Sequence, residues 1–162
     1  MKPMLTNNSL SRDGLIINQS KLKTIPYGKY TSDYNGCGWI ATYNAMKLLG
    51  EKVEAKDIIR YLDKYNILDG KVGTNPIGIK KYFEEQNLSF RSSVLSKRLQ
   101  AKKHAVGILL YTDGKSAHYV AFQRENRQFH FYNDVYGKEN DIRTLDEFFQ
   151  GKKVPLWFLI IE

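Results

Sequence analysis

The chain has a single cysteine in 162 residues, so it can form no internal disulfide and no multi-cysteine zinc site. Histidine is almost as scarce, with three. Cys37, His118 and Asp134 are chemically able to bind zinc, but none of the close ligand pairs of zinc motifs is present. No metal or other cofactor is expected. The first residues, Met1-Lys-Pro-Met-Leu-Thr-Asn-Asn-Ser9, lack an apolar core and a small-residue cleavage site, so no signal peptide is read. The longest apolar run, Leu156-Trp-Phe-Leu-Ile-Ile161, has the length of a strand, and no membrane span is expected. From these absences a soluble, unprocessed, cytoplasmic chain is expected. There is no internal repeat, low-complexity tract or linker, so residues 1–162 read as one domain with a loose polar arm over 1–13.

Charge is present but not concentrated. The formal net charge is +8, with 25 basic and 17 acidic residues, which favours acidic partners and solubility. Yet Lys21, Lys47, Lys56, Lys80 and Lys152 are spread along the chain, as on solvated faces of helices. Lys97-Arg98 and Lys102-Lys103, with tyrosines nearby, offer phosphate contacts. No recognised nucleic-acid motif accompanies them, and no specific nucleic-acid partner is expected. The oligomeric state is not readable.

The most informative stretch is Asp33-Tyr-Asn-Gly-Cys37-Gly-Trp-Ile-Ala-Thr-Tyr-Asn-Ala-Met-Lys-Leu-Leu49, a polar, glycine-flanked loop running into an almost wholly apolar helix. A helix apolar on all sides is central and buried, and Gly50 is placed to end it. A free cysteine is most often a small buried hydrophobe. Here, however, the thiol sits at the positive end of a helix dipole beside free N–H groups. That position favours the thiolate and offers donors for an oxyanion. Gly36-Cys-Gly-Trp-Ile-Ala41 also fits a dinucleotide fingerprint, but the segment before it is polar and no βαβ unit follows, which excludes that reading.

Further along, Leu15-Ile-Ile17 reads as a short strand and Ala55–Tyr65 as a surface helix. Thr74 or Asn75 is placed to cap a helix opened by Pro76, with Ile79, Tyr82 and Phe83 inward. Leu88–Leu95 reads as a strand and Ser96–Lys103 as a short basic helix. The period then becomes strand-like in Ala105–Tyr111, His118–Gln123 and Gln128–Tyr132, with turns at Asp113-Gly114 and Glu125-Asn126. Thr144–Phe149 reads as a small helix and Leu156–Ile161 as a last buried strand. Helices first and an antiparallel sheet afterwards predict an α+β domain: a helical half, with the cysteine helix buried, packed on a C-terminal sheet.

A cysteine nucleophile needs a base, and the base needs an orienting group. His104, at the end of the basic helix, reads as a cap, and His130 alternates with Phe129 and Phe131 on the other face of its strand. His118 opens a strand and so stands at a sheet rim, both held and reachable. A hairpin turning near Asn126 sets His118 opposite Asn133 or Asp134, and either side chain there can fix the imidazole tautomer.

This order of cysteine, histidine and Asn-Asp resembles papain-like cysteine peptidases. It is more closely similar to the bacterial bacteriocin-processing type, which trims double-glycine leader peptides, and to its free-standing relatives. The resemblance rests on Asn35-Gly-Cys-Gly-Trp-Ile-Ala41, Gly73-Thr74, Ala117-His-Tyr-Val-Ala121 and Tyr132-Asn-Asp-Val-Tyr-Gly137. It implies the papain-like fold, a peptide or protein substrate, Cys37 as nucleophile, His118 as base and Asp134 as the orienting group, with Asn133 as the alternative. Two positions depart from the family. Thr31 stands where it has an oxyanion-donating glutamine six residues before the cysteine, which makes Asn35 the substitute donor, and Val135 replaces a proline. Three functions fit: a peptidase working through a thioester, an acyl-transferring or amide-editing enzyme with the same triad, and a peptide-binding domain without chemistry.

Overall fold

A computed structural model describes residues 5–94 and 102–162. Two short strands, β1 (Pro26–Tyr27) and β2 (Tyr30–Thr31), lead through one helical turn, α1 (Ser32–Asn35), straight into α2 (Cys37–Leu48). Then come α3 (Ala55–Asp63), the paired strands β3 (Asn66–Ile67) and β4 (Gly73–Thr74), and α4 (Pro76–Glu85). The second half holds β5 (Phe90–Ser93), β6 (His104–Thr112), β7 (Ala117–Glu125), β8 (Gln128–Tyr132), β9 (Asp141–Arg143), α5 (Leu145–Phe148) and β10 (Val154–Ile161). The six-stranded sheet runs β5-β10-β6-β7-β8-β9 and every pairing in it is antiparallel. This is the expected mixed architecture, a helical half against an antiparallel sheet.

Helix α2 is central because it has no polar face to turn to water. Every residue from Gly38 to Met46 is buried, and the helix lies across β7 and β6. Its one internal amide, Asn44, accepts from the Ile16 N–H and donates to the Ile16 carbonyl, both at 2.8 Å. The side chain thus serves as a strand would, satisfying the backbone of a buried segment. For that reason the strand expected over Leu15–Ile17 is reduced to one bridge, Ile16 to Leu10. Nor is the polar N-terminus loose from Leu5 on: Asn7–Ser9 form a 3₁₀ turn, Ser9 is fully buried, and Leu5 and Leu10 pack on the core.

Asn75 caps α4, its Oδ1 accepting from the Ile77 N–H at 3.0 Å, with Pro76 at the first helical position and Ile79, Tyr82 and Phe83 buried. The opposite face of the sheet carries a second, aromatic core in which Phe122, Phe129, Phe131 and Phe158 meet Phe148 of α5. The basic helix expected over Ser96–Lys103 falls largely on residues 95–101, outside the described residues. No helix among the described residues is long and apolar enough to cross a membrane.

Candidate active site

Cys37 is the first residue of α2 and is partly exposed. The glycines that flank it permit close packing. A Cβ on Gly36 would lie 2.6 Å from the Ser32 carbonyl oxygen, and one on Gly38 would lie 2.5 Å from Thr74 Oγ1. Thr74 in turn bonds Tyr27 Oη through its hydroxyl at 2.6 Å and accepts from Tyr119 Oη at its carbonyl at 2.7 Å. The start of the cysteine helix is therefore braced directly against β7, the strand that carries the histidine.

His118 is the second residue of β7, and its ring lines the same cavity as the Cys37 thiol, where each acts on the other's charge. Its Nε2–H donates to the Asn133 carbonyl at 2.7 Å. A carbonyl only accepts, so the proton sits on Nε2 and Nδ1 is left to face the sulfur. The Tyr111 ring stands edge-on at 5.9 Å and the Tyr136 ring at 6.3 Å. Burial raises the cost of a thiolate at Cys37, but hydrogen bonding to His118, its charge, and the N–H groups of Tyr119 and Cys37 outweigh it and hold the thiol below its ordinary value. At His118 burial works against the cation. The thiolate's hydrogen bond and charge and the Asn133 carbonyl overcome it and raise the imidazole. Both shifts favour a thiolate–imidazolium pair.

The other candidates lie differently from expectation. The β7–β8 register pairs Ala121 with Tyr132 and Phe122 with Phe131, displaced by one residue from the nearer expected alignment, and β8 ends at Tyr132, before it comes opposite His118. Asn133 turns the chain in the left-handed region, with φ of 70°. Its main-chain oxygen, rather than its side chain, meets the ring. The Asp134 carboxylate lines the same cavity as His118 and acts on it by charge, but its hydrogen bonds go elsewhere. It accepts from Tyr111 Oη at 2.5 Å and from Arg143 Nη2 at 2.7 Å, with Lys153 Nζ at 3.5 Å. Burial raises the cost of its charge, yet these partners hold it below the usual carboxylate range. Asn35 is no donor at the cavity: its amide nitrogen bonds the Tyr27 carbonyl at 2.9 Å and the Gly70 carbonyl at 3.1 Å, tying two loops together. Thr31 is exposed, its hydroxyl bonded to Asp33 Oδ1 at 2.5 Å.

Sequence reasoning missed Gln19. It lies in a 3₁₀ turn, Gln19–Lys21, only 2% exposed, and lines the same cavity as Cys37 and His118. Its Nε2 donates to the Asp33 carbonyl at 3.2 Å. It stands too far ahead of Cys37 for a fixed-spacing search; the only signal is a polar Asn18-Gln-Ser20 set between apolar Ile17 and Leu22. The cavity itself is about 240 Å³ and is lined also by Tyr34, Tyr111, Tyr136 and Asp113. A larger one, about 430 Å³, opens between Arg124, Arg127, Phe129 and the start of α5, but it contains neither a thiol nor an imidazole.

No family model and no curated sequence matches the chain. Solved structures do resemble it. The peptidase domain of Streptococcus ComA, a bifunctional ABC transporter involved in a quorum-sensing pathway, superposes with a TM-score of 0.55 at 17% identity, over 77% of this chain and 89% of that one. The double-glycine-motif protease of an AMS/PCAT transporter, solved with its leader peptide, gives a TM-score of 0.55 at 14% identity, over 77% and 82%. The likeness that Asn35–Ala41, Ala117–Ala121 and Tyr132–Gly137 bear to double-glycine leader peptidases is therefore met by a likeness of fold: the chain has the papain-like fold of those peptidase domains.

Proposed function

We propose that the protein is a cysteine peptidase acting on peptide or protein substrates in the cytoplasm, with Cys37 as nucleophile and His118 as base and acid. The observation that carries this reading is the placing of Cys37 and His118 together in the lining of one cavity, the thiol lowered and the imidazole raised by each other. The Cys37 thiolate attacks the substrate carbonyl carbon, and the carbonyl oxygen becomes an oxyanion. His118 gives its proton to the leaving amine as the C–N bond breaks, leaving a thioester. His118 then takes a proton from water, whose oxygen displaces the sulfur and releases an acid and the thiolate. The Cys37 N–H and the second amide proton of Gln19 are the oxyanion donors, in place of Asn35. The Asn133 carbonyl orients the ring in the role expected of the Asp134 carboxylate. Tyr34, Tyr111 and Tyr136 line the cavity in which the scissile bond would sit, and a peptide substrate is supported by the likeness to a double-glycine-motif protease solved with a leader peptide.

The test is the rate of Cys37 alkylation by iodoacetamide against pH, in wild type and His118→Ala. An ion pair labels fast well below the ordinary thiol pKa of about 8.5 and loses that advantage in the variant. A slow thiol with an ordinary profile, indifferent to the substitution, overturns the proposal and leaves a peptide-binding domain.

A further inference from the structure

Asn133 is 2% exposed and uses every polar group it presents to the site. Its carbonyl takes the His118 Nε2–H at 2.7 Å, its Oδ1 accepts from the Gln19 N–H at 2.9 Å, and its Nδ2 donates to Gln19 Oε1 at 3.0 Å. A main-chain N–H is only ever a donor, so it fixes which end of the Asn133 carboxamide is oxygen. The nitrogen at the other end then fixes Oε1 of Gln19, which leaves Nε2 on the far side, where it meets the Asp33 carbonyl. Polarity is thus passed without ambiguity from a backbone amide to Nε2 of Gln19, a residue that lines the cavity.

We infer that Asn133 is the positioning residue of the site, setting the tautomer of the base through its carbonyl and the orientation of the oxyanion donor Gln19 through its side chain. This rests on the peptidase reading above. Its left-handed backbone, φ of 70°, is what turns the carbonyl off the end of β8 and onto the imidazole. Asparagine is among the few residues apart from glycine that adopt that conformation readily. Strain of this kind persists where surrounding contacts over-determine it, and here three hydrogen bonds do so.

Two reactions at the same sulfur separate the two roles. Alkylation by iodoacetamide needs the thiolate and develops no oxyanion; acylation by p-nitrophenyl acetate needs both. Asn133→Gly keeps the left-handed turn and the carbonyl but removes the clamp. Its alkylation profile against pH should match wild type, while acylation falls about 100-fold, the lower end of the loss expected for one oxyanion donor. Gln19→Ala should show the same split, and the double variant should be no slower than either single. Asn133→Asp keeps an acceptor for the Gln19 N–H but has no donor for Oε1, so its acylation, read relative to its own alkylation because the new carboxylate also acts on His118, should fall as in Asn133→Gly. Wild-type acylation in both Asn133 variants, or losses that multiply in the double variant, overturns the inference while leaving the nucleophile intact. A wild-type thiol that neither labels fast nor acylates removes the peptidase reading, and this inference with it.

Discussion

On one side of His118 stand two neutral carboxamides, Gln19 and Asn133, with buried, direction-specific hydrogen bonds and no net charge. On the other stand Asp134, Arg143, Asp141 and Lys153, with Tyr111 donating into the cluster. Both include a residue of the same Asn133-Asp134 pair, and the two neighbours do different work. The amides control orientation, because a donor and an acceptor on one planar group cannot exchange without losing both bonds. The charges control cohesion. Arg143 joins the end of β8 to β9 through two carboxylates whose side chains are 3% and 2% exposed, while its guanidinium covers the Phe148 ring at 4.8 Å. Buried charge of this kind is costly to form and more costly to break.

The sharpest way to break that comparison is Arg143→Ala. It takes the guanidinium from Asp141 and leaves Asp134 with only the Tyr111 hydroxyl and the more distant Lys153, and removal of one partner from a buried pair costs about 3–5 kcal/mol. Because the Arg143 side chain is 19% exposed, the lower end of that range is expected, read as a fall in the urea midpoint at unchanged slope. Asp134→Asn should cost less, about 2 kcal/mol at neutral pH, since the amide still accepts from Tyr111 but sets N–H against Arg143. Asp134 is held below the usual carboxylate range in the fold. Its charge therefore contributes stability above the unfolded value, about pH 3.9, and that stability is lost as pH falls through the lower folded value. Wild type and Asp134→Asn should accordingly differ at pH 7 and converge in acid. The alkylation profile of Cys37 should barely move in Asp134→Asn, because Asp134 acts on His118 through charge alone, after Cys37 and the Asn133 carbonyl. A triad led by Asp134 predicts the reverse, a large change in reactivity.

The two clusters also differ in how far the sequence discloses them. Periodicity shows α2 as a central helix, because no polar stripe interrupts it, and shows Gln128–Tyr132 as a strand to the residue. The meeting of Cys37 with His118 follows from a thiol at a helix start and an imidazole at a strand start. What lies behind the histidine does not follow. Turn chemistry around Asn126 specifies a hairpin but not its alignment; β8 ends at Tyr132, short of His118, and it is the left-handed turn at Asn133, not a cross-strand pair, that brings a carbonyl to the ring. The use of a main-chain carbonyl leaves no mark on residue type, since every residue has one. Gln19 and Asn44 are amides whose partners lie far off in the chain, so no local period reports them.

The smallest expected effect tests whether the charged cluster has one essential cation or two. Lys153 Nζ is 3.5 Å from Asp134 and 4.2 Å above the Phe148 ring, and its side chain is 24% exposed. At that distance and exposure an ion pair contributes up to about 1 kcal/mol, and the ring contact about 0.5–1 kcal/mol. Lys153→Ala also strips aliphatic cover from the aromatic core, whereas Lys153→Met removes the charge and keeps the stem. A loss of about 1 kcal/mol in the alanine variant, mostly restored in the methionine variant, assigns Lys153 to packing and leaves Arg143 as the partner that Asp134 requires. Equal losses in both assign the contribution to charge, and the cluster then shares its carboxylate between two cations, in contrast to the single-path polarity of the amides across the ring.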